Sequence, residues 1–249
     1  MTAPALLALA HGSRDPRSAA TVKALCCRVA RLRPDLRVEV AFLDHCEPRP
    51  EAVFDRLARD GVEEVVVVPL LLTDAFHARV DVPAVLDAAA RSHPGLLVRA
   101  AAVLGFEAGL LNALDRRLRT SLSAARVREL DALVLACAGS SDSLANQAVA
   151  RVARLWGARH KLPAVAAYAC AVPPSAGEAV RAFRREGRRH IAVGSYFLAP
   201  GSLPDRTEEL ALEAGAVAVA QPLGADPEVV RTIVSRYLVG AVEMLPIPA

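Results

Sequence analysis

Apolar runs of strand length alternate with longer amphipathic stretches along the first half of the chain. The runs are ALLALA, VEVAFL, EEVVVVPLLL and LLVRAAAVLG, and the amphipathic stretches that follow them span 18–32, 50–60, 83–92 and 107–119. This alternation is typical of βαβ units around a parallel sheet that is buried on both faces. The pattern therefore predicts a doubly wound α/β fold.

The second half of the chain repeats the order of the first. LALAHGSRD aligns with VLACAGSSD at an offset of 127 residues, and AFLDHCEP aligns with AYACAVPP at an offset of 126. Matching segments at a nearly constant offset indicate a tandem duplication. We expect two similar α/β lobes, 1–121 and 130–249, with the boundary in the stretch TSLSAARVRE at 120–129.

Comparing the two repeats distinguishes residues that the fold requires from residues that only a chemical function would require. The glycines of the GS turns occur in both repeats, whereas three side chains of the metal-ligand type occur only in the first: His11, Asp44 and His77. Their counterparts in the second repeat are alanine, cysteine and, approximately, leucine. The fold therefore does not require these imidazoles or this carboxylate.

His11, Asp44 and His77 lie at or just beyond the carboxyl ends of the first three predicted strands, where open parallel sheets bind ligands. Two imidazoles and a carboxylate suit a divalent first-row metal and leave coordination positions open. Either histidine could instead accept a proton from a substrate. Taken singly, each residue has a structural alternative: a hydrogen-bonded turn, a helix cap or a solvated loop. His45 and Cys46 could extend the site, and strand alternation would let at most one of them share the direction of Asp44.

Composition narrows the range of partners. The chain of 249 residues is 53% hydrophobic, which is ample for a packed core, and no window reaches the roughly 18 apolar residues of a membrane span. The N-terminus lacks the features of a signal peptide, so we expect a cytoplasmic protein with five reduced cysteines. A net charge of +3 with 4% aromatic residues makes nucleic acid a poor candidate partner.

Three arginines flank the histidine loops and could meet an anionic ligand or simply face solvent: Arg14, Arg17 and Arg79. The basic cluster RAFRREGRRH has the pattern of a solvated helix face and turn. His93, His160 and His190 stand in charged or loop contexts and are predicted to be surface residues.

The segments LALAHGSRDPRSAATV, VEVAFLDHCEPRPEAV and VVVVPLLLTDAFHARVDVP resemble the sirohydrochlorin chelatases of the CbiX and SirB type, a class II chelatase family. The resemblance covers essentially the whole first half, and the second half is similar to the degenerate second domain of the long family members. It implies two lobes, each a parallel four-stranded sheet flanked by helices, with a tetrapyrrole in the cleft between them.

The resemblance further implies a lyase that inserts a divalent metal, Fe2+ in preference and Co2+ next, into sirohydrochlorin for sirohaem or cobalamin biosynthesis. His11 and His77 would be the catalytic residues and would hold the metal with Asp44, although the family usually has glutamate at position 44 and His45 is an alternative ligand. Arg14, Arg17, Arg79 and Ser13 would contact the carboxylates of the substrate. The metal is then a substrate, and no organic cofactor or membrane is implied.

Two other classes of function remain open from the sequence. A non-enzymatic carrier of metal or tetrapyrrole could use the same ligands without turnover. A two-lobed small-molecule sensor would close around its ligand with no metal dependence, which would leave the loss of histidines from the second repeat unexplained. Because the duplication supplies two halves in one chain, we expect a monomer with an internal pseudo-dimer.

Overall fold

The strand-length apolar runs of the first repeat form the strands that their pattern predicts. A computed structural model describes residues 3–73 and 77–245 of the chain. In order, the first repeat contains β1 (Ala5–Ala10), α1 (Pro16–Leu32), β2 (Val38–Phe42), α2 (Pro50–Arg59), β3 (Glu64–Pro69), a π-helical turn (His77–Asp81), α3 (Val82–Ser92), β4 (Leu97–Ala100) and α4 (Ala108–Ala124).

The second repeat has the same order of elements. It contains β5 (Ala132–Cys137), α5 (Ser143–His160), β6 (Ala164–Tyr168), α6 (Ala176–Arg185), β7 (Ile191–Ser195), α7 (Ser202–Glu213), β8 (Ala218–Val219) and α8 (Pro227–Val242). β8 is two residues long, so the fourth strand is the shortest in this half.

Each repeat builds one parallel four-stranded sheet. The strand order is β2-β1-β3-β4 in the first sheet and β6-β5-β7-β8 in the second, and every pairing is parallel. β1 lies between β2 and β3, with Leu6 opposite Val38 on one side and Val66 on the other. All six residues of β1 are buried, as a strand covered by helices on both faces requires. The predicted fold class is confirmed.

The helices are amphipathic and bury one face against the sheets. In α1 the buried positions are Val22, Leu25, Cys26 and Val29, which follow the helical spacing of three and four residues. In the part of the chain that the structure describes, no helix is both long enough and apolar enough to cross a membrane.

The compact units of the structure differ from the sequence repeats in their last helices. One unit comprises 1–107 with 225–249, and the other comprises 108–224. α8 therefore packs in the first unit, against α1 and β3, while α4 packs in the second unit, against β7 and β8. The division at 1–121 and 130–249 stays a prediction about the duplicated sequence, because each compact unit takes its last helix from the other repeat.

Two arginines in equivalent positions support this exchange of helices. In the first unit, Nη2 of Arg236 on α8 donates to the carbonyl of Leu104 at 3.1 Å. In the second unit, Nη2 of Arg117 on α4 donates to the carbonyl of Leu223 at 2.9 Å. The same separation of 119 residues relates Arg117 to Arg236 and Leu104 to Leu223. Each arginine thus binds the loop of the repeat that does not contain it.

Two local predictions differ from the structure. α4 continues five residues beyond the predicted end at 119, and the hydroxyl of Thr120 is accommodated inside it, since its Oγ1 donates to the carbonyl of Arg116 at 3.0 Å. His160 and His93 are not simple surface residues. Nε2 of His160 lies 2.8 Å from Oδ1 of the buried Asp115. Nε2 of His93, a half-buried residue, lies 2.9 Å from Oδ1 of Asp55.

Candidate metal centre

The loops after β1 and β2 run side by side at the carboxyl edge of the first sheet. His11 follows β1 directly, and Asp44 comes two residues after the end of β2. Backbone bonds extend the pairing past the strands: the N–H of Leu43 donates to Ala10 at 2.9 Å, and the N–H of Asp44 donates to His11 at 2.8 Å. His11 and Asp44 are therefore held next to each other by the main chain.

Two residues with positive φ allow these loops to approach closely. Gly12 has φ of +94°, and a Cβ atom there would lie 1.8 Å from the carbonyl oxygen of Asp44. His45 has φ of +64°, a left-handed conformation that is uncommon outside glycine. The sequence thus needs glycine at position 12, and it places a strained histidine beside the carboxylate.

His11, Asp44 and His45 form one cluster. The ring centroids of His11 and His45 are 6.1 Å apart, and Nε2 of His45 lies 3.6 Å from Oδ2 of Asp44. Nδ1 of His11 lies 3.1 Å from the carbonyl oxygen of Gly12. In the tautomer in which Nδ1 donates this bond, Nε2 of His11 carries the lone pair that can bind a metal or accept a proton.

The carboxylate of Asp44 is exposed and stays ionised to low pH. The backbone N–H of His45 donates to Oδ1 of Asp44 at 2.7 Å, and the positive charge of Arg49 lies 3.7 Å from the same oxygen. The hydrogen bond from His45, followed by the charges of His45, Arg49 and His11, lowers the pKa of Asp44 below its ordinary value. An ionised carboxylate is the form that binds a divalent metal.

This geometry corrects two sequence interpretations of the second loop. The residues after Phe42 form a turn rather than a strand, so alternation does not separate Asp44 from His45, and the His45 ring lies near both the Asp44 carboxylate and the His11 ring. Asp44 does not cap α2 either, because Arg49 holds the N-cap position and makes no side-chain capping bond. Both differences follow from the length of this loop, since β2 ends at Phe42 and α2 begins only at Pro50.

Cys46 joins the two loops. Its Sγ donates to the carbonyl of Ser13 at 3.0 Å and accepts from the N–H of Ser13 at 3.4 Å. Arg49 is a residue that the sequence reasoning missed, and its only signal was a positive charge directly before Pro50, the first residue of α2. Cys46 therefore has a structural role in the turn, and Arg49 has an electrostatic role beside Asp44.

The predicted substrate-contacting residues of the first loop are organised around the start of α1. Oγ of Ser13 accepts from the N–H of Asp15 at 3.1 Å, and Asp15 caps α1 by accepting from the N–H of Arg17 at 2.9 Å. The guanidinium of Arg17 also binds the carboxylate of Asp15. Arg14 is exposed at the tip of the loop. Ser13 and Arg17 thus have structural bonds in addition to any contact with a ligand.

The third predicted ligand follows β3. His77 begins the π-helical turn that leads into α3, and Arg79 is exposed in that turn. The side chain of His77 and residues 74–76 lie outside the described part of the chain. Within the described residues, no group of three His, Cys, Asp or Glu side chains is placed to hold a metal. The structure therefore places His11 and Asp44 together and leaves the contribution of His77 as a prediction.

The second sheet has the same loop frame without the metal-ligand side chains. Gly139 has φ of +87° and lies against the carbonyl of Cys170, and Ala171 has φ of +69°. The N–H of Cys170 donates to Ala138 at 2.9 Å, as Asp44 donates to His11 in the first sheet. Because the frame forms with alanine and cysteine, the fold does not explain the histidines and the carboxylate of the first repeat.

Comparison with known proteins assigns the family. The CbiX family model matches residues 5–121 and again 132–238. The chain belongs to the CbiX family. Among CbiX relatives, the sirohydrochlorin cobaltochelatase of Priestia megaterium is 26% identical over 211 residues, which cover 82% of this chain and 67% of that protein. The sirohydrochlorin ferrochelatase of the same organism is 26% identical over 230 residues, covering 88% and 84%.

Solved structures agree on the fold of this CbiX chain. SirB from Bacillus subtilis with Fe3+ matches with a TM-score of 0.81 at 23% identity, covering 97% of this chain and 96% of that chain. SirB from the subspecies spizizenii in complex with cobalt gives a TM-score of 0.81 at 21% identity, with 97% of each chain covered. The two-sheet architecture is thus shared with chelatase structures.

Proposed function

We propose that this chain is a sirohydrochlorin chelatase, a lyase that inserts a divalent metal into the macrocycle. The observation that carries the proposal is the placement of His11 beside Asp44 at the carboxyl edge of the first sheet, on a loop frame whose copy in the second sheet has alanine and cysteine at these positions. Membership of the CbiX family and the activities named for the Priestia megaterium relatives support it.

The donor set suits a metal that must be released again. His11 and His77 supply imidazoles and Asp44 supplies a carboxylate, so three protein ligands would leave positions open for the macrocycle nitrogens. A closed site with four protein ligands would retain the metal instead. The open site is the arrangement that a substrate metal requires.

His11 and His77 can also accept the protons that metal insertion releases. Insertion forms bonds from the metal to four pyrrole nitrogens, breaks the bonds to the protein and releases two pyrrolic protons. His11 and His77 would accept or relay these protons once their bonds to the metal break. Asp44 stays ionised because its pKa is lowered by the His45 N–H and by neighbouring charges, so it would offset the charge of the incoming metal.

The exposed arginines near the site suit the carboxylates of the macrocycle. Sirohydrochlorin carries eight carboxylates, and guanidinium groups bind carboxylates through charge-assisted, often bidentate hydrogen bonds. We propose that Arg14 and Arg79, both exposed, make such contacts, together with Arg17 and Ser13. Arg17 would have to exchange part of its bond to Asp15 for the substrate.

The metal is proposed to be Fe2+ in preference to Co2+. Imidazole and carboxylate ligands accept both ions, and the affinity order of divalent metals favours cobalt over iron, so metal supply and not ligand type would decide for iron. The relatives named above include both a cobaltochelatase and a ferrochelatase. A cytoplasmic location and a monomeric state are part of the same proposal.

The test is anaerobic metal insertion into sirohydrochlorin, followed by absorbance with Fe2+ and with Co2+. We expect metal-dependent conversion with several turnovers per chain with either ion, and the two rates, measured at equal metal concentration, rank the metals. The rate should fall to the uncatalysed level in His11→Ala with His77→Ala. His190→Ala, which removes an exposed histidine of the second unit, is the matched control. Binding without turnover would contradict the enzyme proposal and favour a carrier.

A further inference from the structure

We propose that the second unit carries a binding site for a small polycarboxylate on the outer face of α6. The site, called here the arginine groove, is formed by Arg181, Arg184, Arg185 and Arg189, and its lining also contains Pro173, Pro174 and one carboxylate, that of Glu178. Only the choice of ligand rests on the proposed function; the existence of an anion site rests on the geometry and charge described below.

The arginine groove is open and large enough for a small molecule. Its volume is about 750 Å³, within the range of roughly 300–1,000 Å³ that is typical of ligand pockets. All four arginines of the groove are exposed. Their guanidinium groups can therefore reach a ligand without any movement of the core.

The segment that forms the groove is rich in positive charge. Residues 181–190 contain five arginines and one glutamate, while the whole chain has a net charge of +3. The two nearby carboxylates are already engaged: Glu178 accepts from the N–H of Ser175 at 2.7 Å, and Glu186 lies 3.4 Å from Arg188. Because both carboxylates already have partners, the arginines leave this face strongly basic.

Hydrogen bonds to Asp131 hold the loop at the end of α6 in place. The carboxylate of Asp131 accepts from the backbone N–H of Arg189 at 2.7 Å and from that of His190 at 3.1 Å. Arg188 donates to the carbonyl of Asp131 at 2.7 Å and stacks over the ring of Phe183 at 5.7 Å. Although burial opposes it, these backbone bonds lower the pKa of Asp131, so the anchor is ionised. Arg189 is therefore held beside the helix.

The equivalent face of the first unit is not basic. α2 and α6 are both ten residues long and are related by an offset of 126 residues. At that offset the four groove arginines correspond to Asp55, Ala58, Arg59 and Glu63. Asp55 is bound by His93 at 2.9 Å. The fold therefore forms with a neutral or acidic face at this position, and it does not require the arginines.

The composition of the arginine groove favours a compact polycarboxylate. Guanidinium forks match carboxylates bidentately, and the two prolines offer a rigid apolar surface to the rest of the ligand. The lining has no aromatic side chain on which nucleic-acid bases could stack, and it has no apolar centre of the kind that stable protein interfaces bury. An octacarboxylate macrocycle of the proposed substrate class meets both requirements, with acidic groups around an apolar ring.

The experiment is equilibrium dialysis of the full chain with uroporphyrin, an octacarboxylate macrocycle, at moderate salt. We expect Arg181→Gln with Arg185→Gln to bind one macrocycle fewer per chain than the wild type. Arg151→Gln with Arg154→Gln removes the same charge from the exposed face of α5 and should bind as the wild type does. Equal stoichiometry in all three proteins would overturn the proposal.

Two further arms separate the ligand class and the proposed function. Displacement of uroporphyrin from the groove by an equimolar short oligonucleotide or by pyrophosphate would show that the site prefers phosphates and would overturn the polycarboxylate assignment. Metal insertion is measured on the same proteins. Metal insertion without binding to the groove would support the proposed function and overturn the anion site. Binding to the groove without metal insertion would support the anion site and contradict the proposed function.

Discussion

Gly12 and Asp44 touch backbone to backbone, because a Cβ atom at position 12 would lie 1.8 Å from the carbonyl oxygen of Asp44. In the second sheet, Gly139 meets the carbonyl of Cys170 in the same way, at 2.3 Å. The contact therefore belongs to the fold, and in the first sheet it also fixes the separation of His11 and Asp44. The loops after β1 and β2 therefore both stabilise the fold and position the residues of the proposed chemistry.

Replacing Gly12 with alanine should destabilise the protein and remove activity. The new Cβ must displace Asp44, and it also occupies a residue with φ of +94°. Gly61→Ala is the matched control, since Gly61 has φ of +74° and nothing lies within 4 Å of its Cβ position. We expect the control to cost about 1–2 kcal/mol from backbone strain alone. Urea unfolding should show a larger loss for Gly12→Ala, and equal losses would contradict the close contact.

The two adjacent ligand candidates should behave differently. Asp44→Ala is expected to reduce metal insertion at least about tenfold, because it removes an ionised, 60% exposed carboxylate. His45→Ala should have a smaller effect, since in the structure His45 positions Asp44 through its backbone N–H, which alanine keeps. Metal affinity and insertion rate are measured for both variants and for Asp44→Asn. A greater loss in His45→Ala would make His45 the ligand instead.

Much of the fold could be predicted from the sequence because its strands are buried on both faces. A strand such as β1 needs an uninterrupted apolar run, and ALLALA is such a run with the bounds that the structure shows. The exchange of α4 and α8 could not be predicted, because both helices follow their repeats in sequence and only three-dimensional packing decides which sheet each one covers. The equivalent hydrogen bonds of Arg117 and Arg236 show which sheet each helix covers in the structure.

The candidate site could be predicted in its residue types but not in its turn geometry. His11 and Asp44 were found by comparing the repeats, and the backbone bond between them agrees with their placement at one sheet edge. His45 lies close to His11 and Asp44 because its φ is +64°. The pattern of hydrophobic residues in the sequence does not predict a backbone angle of this kind. The role of Arg49 depends on the same turn, since the loop brings its guanidinium to the carboxylate of Asp44.

Two buried thiols should make the protein less stable at alkaline pH. Burial raises the pKa of Cys26 and that of Cys137 to about 12, whereas an unfolded cysteine titrates near about 8.5. Between these values the unfolded state loses protons that the folded state keeps, so stability falls by about 1.4 kcal/mol per pH unit for each thiol. Urea unfolding from about pH 8 to 11 should show a shallower slope in Cys26→Ala. An unchanged slope would contradict the raised pKa.

The buried carboxylate of Asp115 should stabilise the second unit without serving the metal centre. Its Oδ1 accepts from the indole N–H of Trp156 at 2.8 Å, and its side chain is 3% exposed. Asp115→Ala leaves that N–H without a partner, at a cost of about 1–3 kcal/mol. Because the chain has one tryptophan, its fluorescence reports unfolding directly. Asp87→Ala, at an exposed position of α3, should stay within about 0.5 kcal/mol.

The helix exchange predicts that the first repeat does not fold alone as a monomer. A fragment of residues 1–121 keeps the first sheet but lacks α8, whose Gly240 packs against Val66 and whose Tyr237 donates to the carbonyl of Pro4 at 2.7 Å. Its own α4 has no second sheet to cover. We expect a poorly folded or self-associated fragment by circular dichroism and size-exclusion chromatography.

Adding a peptide of residues 225–245 should restore the native far-ultraviolet signal of this fragment, because the peptide supplies the missing helix. A peptide with Gly240→Leu is the matched control, since a Cβ at that position would already lie 2.8 Å from Cγ1 of Val66. A folded, monomeric fragment without any peptide would contradict the exchange. It would mean that α4 can cover the first sheet, and the sequence repeat would then also be the folding unit.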